Sequence, residues 1–367
     1  QQVTMLANFV EVFLAKEGHD GVVGVNLLTK VQLPNLASLC GAMLAGVDYV
    51  LMGAGIPRDI PGVLDAFSEH RSASIRFDVD ALQPGEVEYL TFDPQAHGVT
   101  PDMVLPRPRF IAIVAASSLA TTLARKANGR VDGFVVEGPT AGGHNAPPRG
   151  EQQLNKRGEP MYGDRDVVDL SRIGEIGLPF WIAGGVGSPK GLADAIAVGA
   201  TGIQVGTLFA YCTESGIADA LKQDVLHHAA LGDLDVVTDP RASPTGYPFK
   251  VVRWAGDNAN GPRRERKCDL GYLRTAYRAP DGHIGYRCPA EPIDAYVKKG
   301  GALEDTKGRE CLCNGLTANI GQAQVRGYDM EEPPLLTSGD DLLGIQSFLG
   351  TRTSYAASDV IDYLLGR

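Results

Sequence analysis

The sequence predicts an α/β protein built on a (β/α)8 barrel, and three observations carry that expectation. Short apolar runs rich in β-branched residues alternate with amphipathic helical patterns, from "GVVGVNLL" at 21–28 to "GIQVGT" at 202–207, the pattern of a parallel sheet covered by helices. Successive runs end on a polar residue or a glycine, at Asn26, Gly53, Gly138, Gly184 and Gly206, where a barrel gathers the loops of its site. No G-x-G-x-x-G follows a strand, which removes support for an open dinucleotide-binding sheet.

Each element can be justified in order. "VTMLANFVEVFLAKEG" opens the chain as a helix, and "GVVGVNLL" is the first apolar strand, followed by the helical "LPNLASLCGAMLAG". "VDYVLMGAG" (47–55) precedes "RDIPGVLDAFSEH", "FIAIVA" (110–115) precedes "SSLATTLARKA", and "VDGFVVEG" runs into a glycine-rich loop. "PFWIAGG" (179–185) precedes "SPKGLADAIAVGA", and "GIQVGT" closes the series. The interruptions at 71–109 and 139–172 read as enlarged βα loops. Two domains are expected, a barrel over 1–255 and a cysteine-containing C-terminal extension over 256–367.

The chain has 367 residues, 44% hydrophobic, with 45 glycines and a formal charge of -10. That length and composition support a large α/β core, and the acidic balance argues against nucleic-acid and anionic-membrane partners. The one basic run, "RRERK" at 263–267, reads as a solvated loop. With no apolar run of spanning length and no secretory signal at its start, the expected setting is cytoplasmic.

The loop "VVEGPTAGGHNAPPRG" runs a buried strand into Gly142, Gly143 and His144, which presents the histidine beside an open turn. A neutral imidazole there can donate from one nitrogen while the other orients it. In "PFWIAGGVGSPKGLADAIAVGATGIQVGT", two strand ends deliver unencumbered backbone N–H groups. Gly184, Gly185 and Gly187 precede a helix starting at Ser188-Pro189, and Gly206-Thr207 follows one βα unit later. Such donors backed by a helix N-terminus form a phosphate pocket, the arrangement expected at the last strands of a barrel.

Together, "VVEGPTAGGH", "IAGGVG...GLADAIAVGATGIQVGT" and "ESG" at 214–216 resemble the nitronate monooxygenase (2-nitropropane dioxygenase) family, related to flavin-dependent enoyl-acyl-carrier-protein reductases. The resemblance covers roughly 20–255. It implies FMN, with its phosphate on Gly184, Gly185, Gly206 and Thr207, with Gly142 and Gly143 among the cofactor-binding residues, and with Asn26 and Gln204 near the ring system. It matches His144 to the histidine that faces substrate, here followed by the stiffer, basic Asn145-Ala146-Pro147-Pro148-Arg149. In that family pattern "GVVGVNLL" corresponds to the third barrel strand, so the first one or two βα units are expected to lie outside this sequence. The implied chemistry is oxidation of a small anionic substrate, an alkyl nitronate, with electrons passing through FMN to O2. One alternative is NAD(P)H-driven reduction of an enoyl thioester or quinone. Another, of a different class, is a non-catalytic flavin-binding module in a biosynthetic assembly. A homodimer is compatible with each.

Further residues carry smaller expectations. Lys30 and Gln32 follow the strand of Asn26 and are candidates to reach substrate or a flavin carbonyl, or else to stand in a solvated loop. Ser117 and Ser118 read as a helix cap. Glu137, at its strand end, is a candidate to orient His144, and Thr245-Gly246 resembles a packing element near the flavin. Cys40 and Cys212 read as core, and the adjacent His227 and His228 as structural. Cys268, Cys288, Cys311 and Cys313 fall in the extension at spacings unlike a zinc ribbon. They are expected to converge on one point and hold Zn or an iron-sulfur cluster, or else to stand as ordinary thiols.

Overall fold

The computed structural model describes residues 1–254, 264–327 and 330–367. The chain divides into two compact units, one of Gln1–Val136, Asp169–Phe180 and Ala276–Ile284, the other of Glu137–Val168, Trp181–Thr275 and Gly285–Arg367. The boundary at 255/256 lies outside the described residues. Among the described residues no helix is long and apolar enough to cross a membrane.

In the first unit α1 (Gln2–Ala15) precedes β1 (Gly24–Leu28), α2 (Gln32–Leu44), β2 (Tyr49–Gly53) and α3 (Ile60–Ser68). Next come β3 (Ala73–Phe77), the two-residue β4 (Val79–Asp80), β5 (Glu88–Phe92), β6 (Arg109–Val114), α4 (Ser117–Lys126), β7 (Gly133–Glu137) and α5 (Leu170–Gly174). Strands β1, β2, β6 and β7 pair in parallel in that order. Phe110, Ala112, Val114, Phe134 and Val136 are buried, and near-continuous burial along β6 and β7 is what a parallel sheet covered on both faces requires. β1 instead alternates exposed and half-buried positions, with Asn26 exposed.

Two expectations need correction here. The stretch 71–109 is not an enlarged βα loop, because it follows α3. It folds into an antiparallel pair of β3 with β5, held by Phe92 packing edge-on against Phe67 of α3. Its alternating side chains suit a two-stranded ribbon with one face covered. Ser117 and Ser118 do not cap α4, whose N-cap is Ala116; their carbonyls accept from the Thr121 and Thr122 hydroxyls within the helix. Gln32, at the start of α2, is occupied by backbone, donating to the Arg76 carbonyl and accepting from the Asp78 N–H.

The second unit contains β8 (Phe180–Ala183), α6 (Pro189–Ala197), β9 (Gly202–Gln204), the short α7 (Thr207–Ala210), α8 (Asp219–Leu231), β10 (Asp235–Asp239) and β11 (Phe249–Arg253). β8 and β9 are parallel, and β10 and β11 antiparallel. Helix α6 begins as its sequence predicts: Ser188 Oγ accepts from the Gly191 N–H at 3.0 Å, with Pro189 at the first helical position. One apolar core joins Leu208, Tyr211, Val225, Val236 and Val252 to Leu336, Leu342, Phe348, Tyr355 and Val360. Under this core Lys222 is 5% exposed, yet its ammonium donates to the carbonyls of Cys212, Thr213 and Ser215, each at 3.1 Å. A buried cation requires such partners, and here it fixes the turn bearing the "ESG" run.

The basic run proves structural rather than solvated. Arg264 donates to the Pro333 carbonyl at 3.0 Å and pairs with buried Glu332. Arg266 donates to the carbonyls of Pro289 and Thr306. Arg263 lies outside the described residues.

Candidate active site

β7 delivers its chain into the second unit at Glu137, where burial lifts the carboxyl to about 7. The loop beyond is held as an added strand on β11: the Asn145 N–H donates to the Pro248 carbonyl and the Lys250 N–H to the Gly143 carbonyl, each at 2.9 Å. The buried Asn145 amide donates to the Ala141 carbonyl at 2.9 Å and closes the turn. His144 is thereby set opposite Phe249, ring edge to ring face with centroids 4.8 Å apart.

The partner of the His144 ring is Ser243, with Nε2 and Oγ separated by 2.7 Å. Ser243 Oγ in turn lies 2.8 Å from Thr245 Oγ1. Glu137 therefore does not take the orienting role considered for it. Burial pushes the imidazole down to about 4, so the ring is neutral near pH 7 and acts through hydrogen bonding rather than as a standing cation. Thr245, read from sequence as a packing element, belongs to this chain of hydroxyls.

The Gly184-Gly185 pair lies against the same loop. Gly184 and Gly185 have φ of +88° and +69°, which glycine adopts without strain. A side chain at Gly184 would begin 2.7 Å from the Ala141 nitrogen, and one at Gly185 would begin 3.1 Å from Thr140 Oγ1. Gly206 differs, since nothing stands within 4 Å of where its side chain would begin. Beside this opening, Thr207 Oγ1 accepts from the Gly339 N–H at 3.0 Å, which leaves the hydroxyl proton available to a ligand. Backbone N–H groups and a hydroxyl next to an unfilled cradle fit a phosphate ester such as that of FMN.

Gly187 departs from its expected role. Its N–H donates to Asp341 Oδ2 at 3.3 Å, so an internal carboxylate, pushed upward in proton affinity by burial, stands where a phosphate contact was expected. Asp341 belongs to a segment that the sequence did not connect with the site. The Gly143 N–H donates to Thr337 Oγ1 at 2.8 Å, the Asp340 N–H donates to the Thr140 carbonyl at 2.9 Å, and Lys250 pairs with Asp340. A side chain on Gly142 would begin 2.8 Å from the Gly339 nitrogen, so residues 337–341 thread between the two glycine loops. The only local signal was a glycine between Ser338 and an aspartate pair. Gln204 ends β9, half-buried, in the same unit as His144 and the glycines. Asn26 belongs to the first unit.

The six cysteines are free thiols. Burial pushes Cys288 up to about 12 and Cys311 to about 11, with Cys268 and Cys313 among the neighbouring groups that add to the rise. Arg274 Nε donates to Cys268 Sγ at 3.4 Å. Among the described residues no group of three or more His, Cys, Asp or Glu is placed to hold a metal ion. Among the described residues Cys268, Cys288, Cys311 and Cys313 therefore do not form the shared metal site expected of them.

With this geometry in place, a family model described as "Nitronate monooxygenase" matches residues 73–244, spanning His144 and both glycine pairs. Over that segment the chain is similar to the nitronate monooxygenase family. A nitronate monooxygenase of Pseudomonas aeruginosa is 28% identical over 197 residues, 52% of this chain and 48% of that protein. A probable nitronate monooxygenase of Staphylococcus haemolyticus is 35% identical over 98 residues, 26% of each. The chain thus spans about half or less of the length of these curated nitronate monooxygenases. Among solved structures, FabK from Thermotoga maritima superposes with a TM-score of 0.51 at 16% identity, covering 98% of this chain and 79% of that one. At that identity the likeness speaks for the fold, which is TIM-barrel-like.

Proposed function

We propose that the chain is an FMN-dependent oxidoreductase that oxidises a small anionic substrate of the alkyl nitronate class with O2. The observation that carries this reading is a neutral histidine, fixed through one ring nitrogen, on a loop packed against the Gly184-Gly185 pair. We further propose that the parallel strands form part of a (β/α)8 barrel.

In this reading Gly184, Gly185, Gly206 and the Thr207 hydroxyl hold the FMN phosphate, with Gln204 toward the ring system. When bound, FMN supplies the two-electron chemistry and the reaction with O2. Gly142 and Gly143 allow the close approach of residues 337–339 and hold the loop that presents His144. Through its second nitrogen His144 meets the anionic substrate oxygen, and its burial keeps it neutral while charge redistributes. The proline-rich run after it stiffens the loop against opening.

Anaerobic mixing of the FMN-loaded protein with a primary alkyl nitronate tests the proposal, with loss of flavin absorbance as the expected result. Bleaching by NAD(P)H and not by nitronate would move the chain to the enoyl or quinone reductases, and bleaching by neither would leave a flavin-binding module. His144→Ala should lower nitronate turnover by about 10² or more while FMN remains bound, the scale set by other electrostatic and acid-base residues.

A further inference from the structure

We infer that Ser243 is a positioning residue that places the His144 proton on Nδ1, so that the ring presents an N–H donor, rather than a lone pair, to an anionic substrate oxygen. The substrate part rests on the function proposed above, whereas the placement of the proton rests on the hydroxyl chain alone.

Ser243 is fully buried, and its Oγ has three neighbours: His144 Nε2 at 2.7 Å, Thr245 Oγ1 at 2.8 Å and the Thr245 backbone N–H at 3.2 Å. A hydroxyl has one proton and two lone pairs. The Thr245 N–H occupies one lone pair, so a single proton and a single lone pair are divided between His144 and Thr245. Two arrangements satisfy Ser243. In one, Ser243 donates to Nε2 and accepts from the Thr245 hydroxyl, which leaves the imidazole proton on Nδ1. In the other, Nε2–H donates to Ser243, Ser243 donates to Thr245, and Nδ1 is a bare acceptor.

Thr245 decides between them. Its Oγ1 already accepts from the Tyr247 N–H at 3.3 Å, and its one other hydrogen-bond partner among the described residues is Ser243. In the second arrangement the Thr245 proton has no acceptor in the protein. In the first, both hydroxyl protons have an acceptor and the ring proton on Nδ1 alone is left for a ligand. The backbone is fixed to match, since Arg309 donates to the carbonyls of Arg241 and Ser243. Nδ1 itself makes no hydrogen bond among the described residues, which leaves its proton directed to a ligand.

The test is the tautomer, read by long-range 1H–15N correlation on the 15N-histidine-labelled protein without substrate, with His144→Gln used to assign the signal. The wild type should show His144 protonated at Nδ1, Ser243→Ala should shift it toward Nε2–H, and Thr245→Val should leave it unchanged because Ser243 then has only Nε2 to donate to. In nitronate turnover, Ser243→Ala should raise KM about tenfold with FMN affinity unchanged. A wild-type ring protonated at Nε2, or an unchanged tautomer in a folded Ser243→Ala, would overturn the inference. Should Ser243→Ala not fold, the wild-type spectrum and Thr245→Val decide it. A wild type with the Nδ1 proton and no nitronate reaction would remove the proposed function while leaving the role of Ser243 intact.

Discussion

Gly206→Ala separates stability from cofactor binding at a single atom. Gly206 has φ of -110°, ordinary for alanine, and nothing stands within 4 Å of the added carbon. The substitution therefore introduces neither strain nor a clash, and by narrowing the unfolded ensemble it should stabilise the apoprotein by about 0.4–1 kcal/mol. The same methyl group occupies the opening in front of the Gly206 and Thr207 donors. A hydrogen bond to a charged group contributes about 1.5–3 kcal/mol, so displacing the phosphate from one such donor should weaken FMN binding about tenfold to a hundredfold. Urea unfolding of the apoprotein and titration of FMN fluorescence measure the two quantities on one sample. Unchanged FMN affinity in a stable Gly206→Ala would show that the phosphate does not lie at this strand end.

Two further substitutions probe the surrounding structure. Gly184→Ala combines a positive φ with a 2.7 Å approach to the Ala141 nitrogen, and strain with overpacking should cost about 2–5 kcal/mol in urea unfolding; a loss below 0.5 kcal/mol would mean that the loop yields freely. Glu137 has a folded pKa raised to about 7 from an ordinary value of 4.5, so between these values the folded state binds more protons and stability falls as pH rises. Glu137→Gln should therefore stabilise by at most about 3 kcal/mol at pH 8 and by much less at pH 5, and an equal effect at both values in urea titrations would contradict the buried carboxylate.

Much of the fold and part of the site were legible in the sequence. All six apolar runs became strands within a few residues of their expected limits, because alternation between strand and helix is a local pattern that burial reinforces. Both glycine pairs and His144 were likewise visible as residue types at strand ends. The stretch 71–109 was misread because β3 and β5 within it pair with each other rather than extend the parallel series, and no residue within it announces that pairing. Arg264 and Arg266 looked like solvent charges because their partners, Glu332 and the Pro289 and Thr306 carbonyls, lie far along the chain.

By itself the sequence determined a parallel α/β architecture, the placing of glycines where strands end and the presence of a histidine on the loop after β7. It also determined the acidic balance that argues against a nucleic-acid role. Only the tertiary structure decided what those residues touch. His144 meets Ser243 across 99 positions, and Gly143 meets Thr337 across 194. Gly187 faces an aspartate instead of open space, and Gly206 faces open space. Helical and strand periodicity arise from neighbouring dihedrals and can be read in a short window. The partner of a buried hydroxyl or N–H is chosen by whichever acceptor or donor the packed chain brings within about 3 Å, and that choice is made only when distant segments close together.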